Sequence, residues 1–227
     1  MFSRIQQLKT TGYSPTHVFD IGAHHGHWTI SCSQIFQDCQ YLMFEAIDYA
    51  ELNAFRNYSN VRVFNDLLND KKENVVWNEM RNTGDSIFKE NTFHFDNCKQ
   101  IVRETTTLND CLKTAAITIS SSDRIFIKID CQGAEIPILK GAQDIISRTD
   151  FIIMEMPFFG QYNAGVPSFL EHIQYMDSIG FIPYDFLESH YINNFDMQVD
   201  IMFINKNHPL NQVVQDELKR GTLESNV

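Results

Sequence analysis

Short apolar runs alternate along this chain with segments whose apolar residues recur at helical spacing. This alternation predicts βαβ units and a largely parallel sheet. Helices are predicted after the first strand, around 49–56, over about 134–146 and through 169–176, the last closed by Gly180. Pro137 is compatible with its helix only in the first turn. Seven strands are predicted, at 17–21, 41–45, 61–64, 124–129, 151–154, 181–184 and 200–204.

The stretch 67–104 is less regular and contains the strand-like run Val75–Trp77 and the polar run Arg81–Ser86. We interpret it as an insertion of short strands and loops. Two readings stay open, a wall of a substrate pocket or a solvated loop. The whole chain, 1–227, is predicted to form one domain, with a core at about 15–206 and a helical or frayed tail at 207–227.

Composition narrows the class of protein. The formal net charge of −11 disfavours unspecific binding to nucleic acid. Five cysteines, an odd number without a CxxC pair, favour a reducing compartment and packing roles. No secretory h-region and no run of about 18 apolar residues is present in the sequence, so we expect a cytoplasmic protein without membrane insertion.

The segment Val18–Trp28 carries the strongest chemical signal. A buried strand there ends near Asp20 and turns through Gly22 and Gly26 into a helix. Glycines let a ligand approach the backbone, and a helix N-terminus presents free N–H groups. The spacing is GxxxG rather than the GxGxxG of dinucleotide-binding folds, and an acid before it suits a cationic sulfonium ligand. The alternative is a tight strand–helix turn without a ligand.

Two further acids are predicted at strand ends. Glu45 ends the second strand and could accept hydrogen bonds from both ribose hydroxyls of a nucleoside. Asp66 follows the third strand and could accept from an adenine amino group. Acids at three successive carboxyl ends are better evidence than each alone, because open α/β sheets bind ligands at that edge.

A second specific segment, Ile127–Ala142, reads Ile-Lys-Ile-Asp-Cys-Gln-Gly-Ala-Glu-Ile-Pro-Ile-Leu-Lys-Gly-Ala. Together with the Asp20–Gly26 turn it resembles the FkbM family of methyltransferases. The stretches Thr107–Asp110, Ile153–Glu155 and Asp200–Phe203 are similar to that family too. The resemblance spans about 15–206.

This resemblance implies a class I, Rossmann-like methyltransferase fold: a seven-stranded, mostly parallel sheet with one antiparallel strand and helices on both faces. It also implies methyl transfer from S-adenosylmethionine, usually to a hydroxyl of a sugar or another small molecule. Gln132 stands where the family usually has Glu. The residues expected to contact the cofactor are Asp20, Gly22, Ala23, His24, Gly26, Trp28, Glu45 and Asp66.

A sulfonium methyl group is already activated, so the protein mainly has to align a nucleophile and take its proton. Asp130 is the first candidate base. Lys128 is a candidate to orient that acid or to stabilise an alkoxide, unless it simply reaches the surface. Glu135, Glu155 and His190 are candidate substrate contacts, with His190 placed in a late loop.

Competing functions make different demands on the sequence. An NAD-dependent oxidoreductase needs the shorter glycine spacing, and a nucleic-acid methyltransferase needs an Asn/Asp-Pro-Pro-Tyr/Phe motif, which the sequence lacks. A non-catalytic nucleotide-binding module with a degenerate site is favoured only by Gln132. No metal site is predicted, because the histidines at 24, 25 and 27 lack Asp, Glu or Cys partners at ligand spacing.

Overall fold

The computed structural model describes residues 1–220. Its strands are β1 (His17–Ile21), β2 (Gln40–Phe44), β3 (Val61–Phe64), β4 (Asn74–Glu79), β5 (Lys99–Glu104), β6 (Ile125–Ile129), β7 (Thr149–Pro157), β8 (Phe181–Ile192) and β9 (Phe195–Asn205). Its α-helices are α1 (Phe2–Thr10), α2 (His27–Ile35), α3 (Leu108–Thr114), α4 (Glu135–Lys140), α5 (Gln143–Ile146), α6 (Phe169–Ser178) and α7 (Pro209–Arg220). The segments Ala50–Asn57 and Phe93–Phe95 form 3-10 helices.

Seven of the strands form one sheet in the order β3-β2-β1-β6-β7-β9-β8. All neighbours pair in parallel except β9, which is antiparallel to both β7 and β8. The predicted seven-stranded sheet with one antiparallel strand is thereby confirmed. The strand order changes direction between β1 and β6, and such a switch point is where open α/β sheets bind ligands.

The alternation of side chains along the strands builds two cores on the two faces of the sheet. Phe19 and Ile21 of β1 pack on the face covered by α3, α4, α5 and α6. Val18, which precedes Phe19, points to the opposite face, which α1 and α2 cover. Asp20 follows with the period of two, so a carboxylate lies on the α2 face without access to water.

Three predicted elements differ from the structure for identifiable reasons. The helix predicted over 134–146 is divided into α4 and α5. Its break is at Gly141, where a Cβ atom would lie 2.4 Å from the carbonyl oxygen of Asn69. The two late strands are far longer than their apolar runs, and His190 belongs to β8 rather than to a loop. That prediction was wrong because most of β8 is at least partly exposed and shows no apolar pattern.

The less regular stretch at 67–104 contains a separate antiparallel pair of strands, β4 with β5.

Helix α1 lies against α2 and is attached to β8 by two ion pairs. The amino group of Met1 is 2.7 Å from Glu188, and Arg4 Nε is 2.5 Å from Asp185. Within residues 1–220, no helix combines the length and apolarity that crossing a bilayer requires. The predicted tail forms α7 as far as Arg220, and 221–227 lie outside the described residues.

Candidate active site

Two turns meet where the first and fourth parallel strands end. Gly22 follows β1 with φ +78°, and a Cβ atom there would lie 1.9 Å from the carbonyl oxygen of Asp130. Glycine is therefore required at this position because two backbone segments are in contact there. The sequence had suggested a different reason, namely space for a ligand. Gly26, also at positive φ, has a comparable role, since its Cβ would lie 2.4 Å from the ring of Phe55.

A buried lysine holds these turns together. Lys128 is directly opposite Asp20 in the β1–β6 register. Its Nζ donates to the carbonyl of Gly22 at 3.0 Å and lies 3.4 Å from Asp130 Oδ2 and 3.7 Å from Asp20 Oδ1. Burial acts against the charge on Lys128, but the two carboxylates outweigh it and raise the pKa of the amine. Lys128 is thus a cation that orients Asp130, and it does not reach the surface.

Glu45 closes the neighbouring end of the cleft. Its Oε2 accepts from the backbone N–H of His24 at 2.7 Å, and its Oε1 accepts from that of Ile47 at 2.9 Å. The two bonds fix a half-buried carboxylate between the turns after β1 and β2. Burial raises the pKa of Glu45, partly offset by these two donors.

The resulting cleft lies between the carboxyl ends of β1, β2, β3 and β6. Tyr49 and Trp77 line the cleft, and the hydroxyl of the first and the indole N–H of the second are buried without a partner. The predicted residues Gly22, His24, Glu45, Asp66 and Asp130 line it as well.

A second group of acids begins where this cleft ends. Gln132 donates its side-chain amide to Asp130 Oδ1 at 3.0 Å and to Glu155 Oε2 at 2.7 Å. Gln198 donates to the same Glu155 oxygen at 3.0 Å. The position that departs from the family pattern therefore bridges two carboxylates. Burial would raise the pKa of Asp130, but the charge of Lys128 and the hydrogen bond from Gln132 outweigh it and lower the pKa.

Glu155 faces another acid on the neighbouring strand. Asp200 of β9 is its direct partner in the antiparallel register. His190 Nε2 lies 2.9 Å from Asp200 Oδ2 and 3.7 Å from Glu155 Oε1. Burial, Asp130 and Asp200 raise the pKa of Glu155 well above its ordinary value. The hydrogen bond with Asp200 raises the pKa of His190.

Four of the eight predicted cofactor contacts do not line the cleft: Asp20, Ala23, Gly26 and Trp28. Trp28 packs on Phe2 and Phe126, on the α1 side of the sheet, because the first turn of α2 directs its indole there. Ala23 is part of a buried apolar cluster. Asp20 is fully buried and accepts from Thr29 Oγ1 at 2.6 Å, so it supports the turn from below.

Glu135 is also behind the site rather than at its surface. It is 1% exposed, and its Oε1 accepts from the backbone N–H groups of Cys131 and Gly133. Its other carboxylate oxygen, Oε2, is buried without a hydrogen-bond partner among the described residues, and Glu135 lines a small pocket with Glu155 and Gln198. Its contact with a substrate stays a prediction. Its role is to shape the turn that carries Asp130 and Gln132.

Several site residues were not identified from the sequence. Tyr49, Asn82, Thr83 and Asp85 line the cleft, the last three within the polar run at 81–86. Asp200 had been noted only as the start of a strand. Its pairing with Glu155 follows from strand register, and no local signal in the sequence indicates it.

The strand order with one reversed strand, and the acid-lined cleft at the switch point, define a class I methyltransferase fold. The model of the methyltransferase FkbM domain matches residues 20–183. The chain belongs to the FkbM methyltransferase family.

Among solved structures, the methyltransferase FkbM of Methylobacillus flagellatus KT is 18% identical, with a TM-score of 0.51. The match covers 83% of this chain and 43% of that one, so this chain spans less than half the length of that relative. The 1,6-didemethyltoxoflavin-N1-methyltransferase of Burkholderia thailandensis is 9% identical, with a TM-score of 0.50, over 91% of this chain and 77% of that one. No curated protein matches the sequence significantly.

Proposed function

We propose that this protein transfers a methyl group from S-adenosylmethionine to a hydroxyl of a small molecule, with a sugar as the preferred class of acceptor. One observation carries the proposal. The cleft walled by Glu45, Asp66 and Asp130 continues through Gln132 into a second polar site around Glu155. A cofactor site and an acceptor site that share Asp130 are the arrangement that group transfer needs.

The cleft fits the cofactor. Tyr49 and Trp77 hold two buried polar atoms without partners in the protein, which a nucleoside with donors and acceptors would satisfy. Glu45 would accept from the ribose hydroxyls and Asp66 from the adenine amino group. The carboxylates suit a ligand that carries a positive sulfonium. The Burkholderia enzyme that shares the fold is crystallised with bound S-adenosylhomocysteine, which supports this assignment.

When bound, the cofactor supplies an activated methyl group. The protein's own residues then do three things. Lys128 and Gln132 fix the carboxylate of Asp130 from two sides, with Nζ at 3.4 Å and Nε2 at 3.0 Å. Asp130 orients the acceptor hydroxyl and takes its proton as the new O–C bond forms. Glu155 and His190 line the acceptor side.

The lowered pKa of Asp130 matters for this step. A carboxylate that stays ionised is always ready to accept a proton, but it is a weak base toward an unperturbed alcohol. Transfer of the proton late in the reaction, as the oxygen becomes positive through methylation, is therefore favoured over full deprotonation beforehand.

The five cysteines are free thiols, which supports a reducing compartment such as the cytoplasm.

Two measurements test the proposal in order. Calorimetry with S-adenosylhomocysteine tests the cofactor site, and Glu45→Ala should weaken binding. Incubation with methyl-labelled S-adenosylmethionine and a panel of sugars, other alcohols, amines and thiols then tests the acceptor class. Label recovered on a hydroxyl supports the proposal. Binding without transfer to any hydroxyl, or label only on nitrogen or sulfur, contradicts the O-methyl assignment.

A further inference from the structure

Two acids lie opposite each other near the acceptor side of the site without a permanent cation between them. Glu155 and Asp200 are paired across the β7–β9 register, and their side chains are only 10% and 7% exposed. Like charges directly opposite on neighbouring strands destabilise a sheet. In the part of the chain that the structure describes, no Lys or Arg lies within ion-pair distance of either one, and His190 is their shared partner.

Lys128, the nearest cation in the site, already interacts with other groups. Lys128 contacts Asp20, Asp130 and the carbonyl of Gly22, all on the β1 side of Asp130. Asp130 adds a third carboxylate next to Glu155, linked to it through Gln132. Keeping several buried carboxylates ionised without a matching cation is costly. A bound ligand that carries positive charge would remove this cost for Glu155 and Asp200.

The donor atoms have the spacing of a metal site. One atom each of Glu155, His190 and Asp200 lie within 4.8 Å of one another. The imidazole Nε2 is 2.9 Å from Asp200 Oδ2 and 3.7 Å from Glu155 Oε1. Neighbouring ligands of an octahedral ion with bonds of about 2.1 Å are separated by roughly 3 Å, so only small side-chain shifts are needed. The His190 side chain is 41% exposed, which gives an ion access from solvent.

We propose that Glu155, His190 and Asp200 bind one divalent cation of the Mg²⁺/Mn²⁺ type. The ion would bind between His190 Nε2 and the carboxylates of Asp200 and Glu155, which lie 2.9 Å and 3.7 Å from that nitrogen. Two carboxylates and one imidazole suit such hard or borderline cations, and thiolates are absent from the triad.

The site deepens the proposed function and rests on it for its catalytic role. Three protein ligands leave about three coordination positions of six for oxygens of the acceptor or water. Two adjacent hydroxyls, as on a sugar ring, would occupy two of them. A divalent cation would hold and orient the acceptor oxygen and act on it as a Lewis acid. As the methyl group leaves sulfur for that oxygen, the O–H bond breaks and the proton passes to Asp130, so that a neutral thioether remains.

The test uses Mn²⁺ as the probe. The 227-residue protein is stripped with a chelator, dialysed and titrated with Mn²⁺, and free ion is followed by electron paramagnetic resonance. We expect one site, with affinity reduced at least about tenfold in Asp200→Asn and in His190→Gln. The second variant changes a partly exposed side chain and should fold even if the first does not. Glu51→Gln is the matched control, because Glu51 pairs with His25 at 3.3 Å outside the site.

Each outcome decides the question. Stoichiometric Mn²⁺ binding that both variants weaken and the control retains supports the site. Absence of binding up to millimolar Mn²⁺, or equal binding by parent and variants, overturns it. S-adenosylhomocysteine binding is measured on the same samples. If the nucleoside binds and the protein methylates a hydroxyl without a cation, the metal inference fails and the proposed function stands. If Mn²⁺ binds and the nucleoside does not, the proposed function fails independently.

Discussion

Gln132 donates one side-chain amide group to two carboxylates, Asp130 and Glu155, from a backbone in the left-handed region at φ 51°. This contact joins the turn after β6 to β7 and connects the two halves of the site. A glutamate here would face both acids without a proton to offer. The departure from the family pattern is thus an internal donor that keeps two neighbouring acids in place.

The first prediction follows from that contact. Gln132→Glu should lower the free energy of unfolding by about 1–3 kcal/mol at neutral pH, because two acceptors lose their donor and gain a like charge. The loss should shrink at about pH 5, where one acid of the group can be protonated. Urea denaturation at both pH values measures it. Gln37→Glu adds the same charge on an exposed side chain and should change little. Equal effects of the two substitutions would refute the bridging role.

The second prediction concerns Glu45. Removing its carboxylate in Glu45→Ala should weaken binding of S-adenosylhomocysteine by ~1.5–3 kcal/mol, the range for hydrogen bonds to charged groups. The variant also frees the N–H groups of His24 and Ile47, so Glu45→Gln is the informative companion. Gln offers one acceptor oxygen and should give an intermediate affinity. An unchanged dissociation constant for both variants would rule out the ribose assignment.

The third prediction separates the chemical step from binding. Asp130→Asn should reduce turnover at saturating cofactor by ~10²–10⁴-fold, the usual contribution of general base catalysis. Affinity for the cofactor should fall much less, since an amide keeps part of the contacts. The lowered pKa of Asp130 also means that its protonation should produce no acid limb in the rate between about pH 5 and 8. Turnover near the parental value at saturation would show that another group takes the proton.

The fourth prediction uses the buried acid behind the site. Burial, only partly offset by N–H groups of the turn, raises the pKa of Glu135 to about 7. The folded protein therefore binds a proton there that the unfolded chain releases near its ordinary value. Stability from this group is present at low pH and is lost as pH rises from about 4.5 to 7, by about 3 kcal/mol. Glu135→Gln does not titrate, so its unfolding free energy should depend less on pH across that window. An identical pH dependence for parent and variant would contradict the shift.

The fifth prediction distinguishes backbone strain from steric clash. Gly12 and Gly22 both have positive φ, but a Cβ at Gly12 meets nothing within 4 Å, whereas at Gly22 it meets the Asp130 carbonyl at 1.9 Å. Gly12→Ala should cost only the strain of the left-handed backbone, about 1–2 kcal/mol. Gly22→Ala should be clearly more destabilising and should also disturb Asp130. Thermal denaturation of the two variants tests this, and equal losses would argue against the clash.

The sequence predicts the buried parallel strands well because their apolar runs are short, continuous and bounded by turns. The run at 17–21 coincides with β1, and Glu45 directly follows β2 as its carboxyl-end acid. The same reasoning fails for elements whose extent is determined by tertiary contacts. The length of β8 and β9 depends on pairing between partly exposed residues, and three register irregularities in that pair conceal which residues face each other. The juxtaposition of Glu155 with Asp200 is therefore invisible in the sequence.

Trp28 illustrates a second limit of prediction from the sequence, which concerns the direction of side chains. A conspicuous aromatic residue after a glycine turn suggests a ligand contact, but a helix rotates successive side chains by about 100° and only some face the cleft. Trp28 falls on the side that α1 covers. Tyr49 and Trp77, which line the cleft, lie instead in segments without a recognisable motif. Only their buried polar atoms, which have no hydrogen-bond partner among the described residues, draw attention to them.

The attachment of α1 to β8 has a consequence for synthesis on the ribosome. Arg4 and Asp185 are 181 residues apart in the sequence, yet they form one ion pair. At about 5–20 residues per second, the helix waits roughly 10–40 s before its partner strand is made. During that interval Ile5 and Leu8, buried in the finished fold, lack part of their cover. The contact between α1 and β8 can therefore form only after β8 has been synthesised.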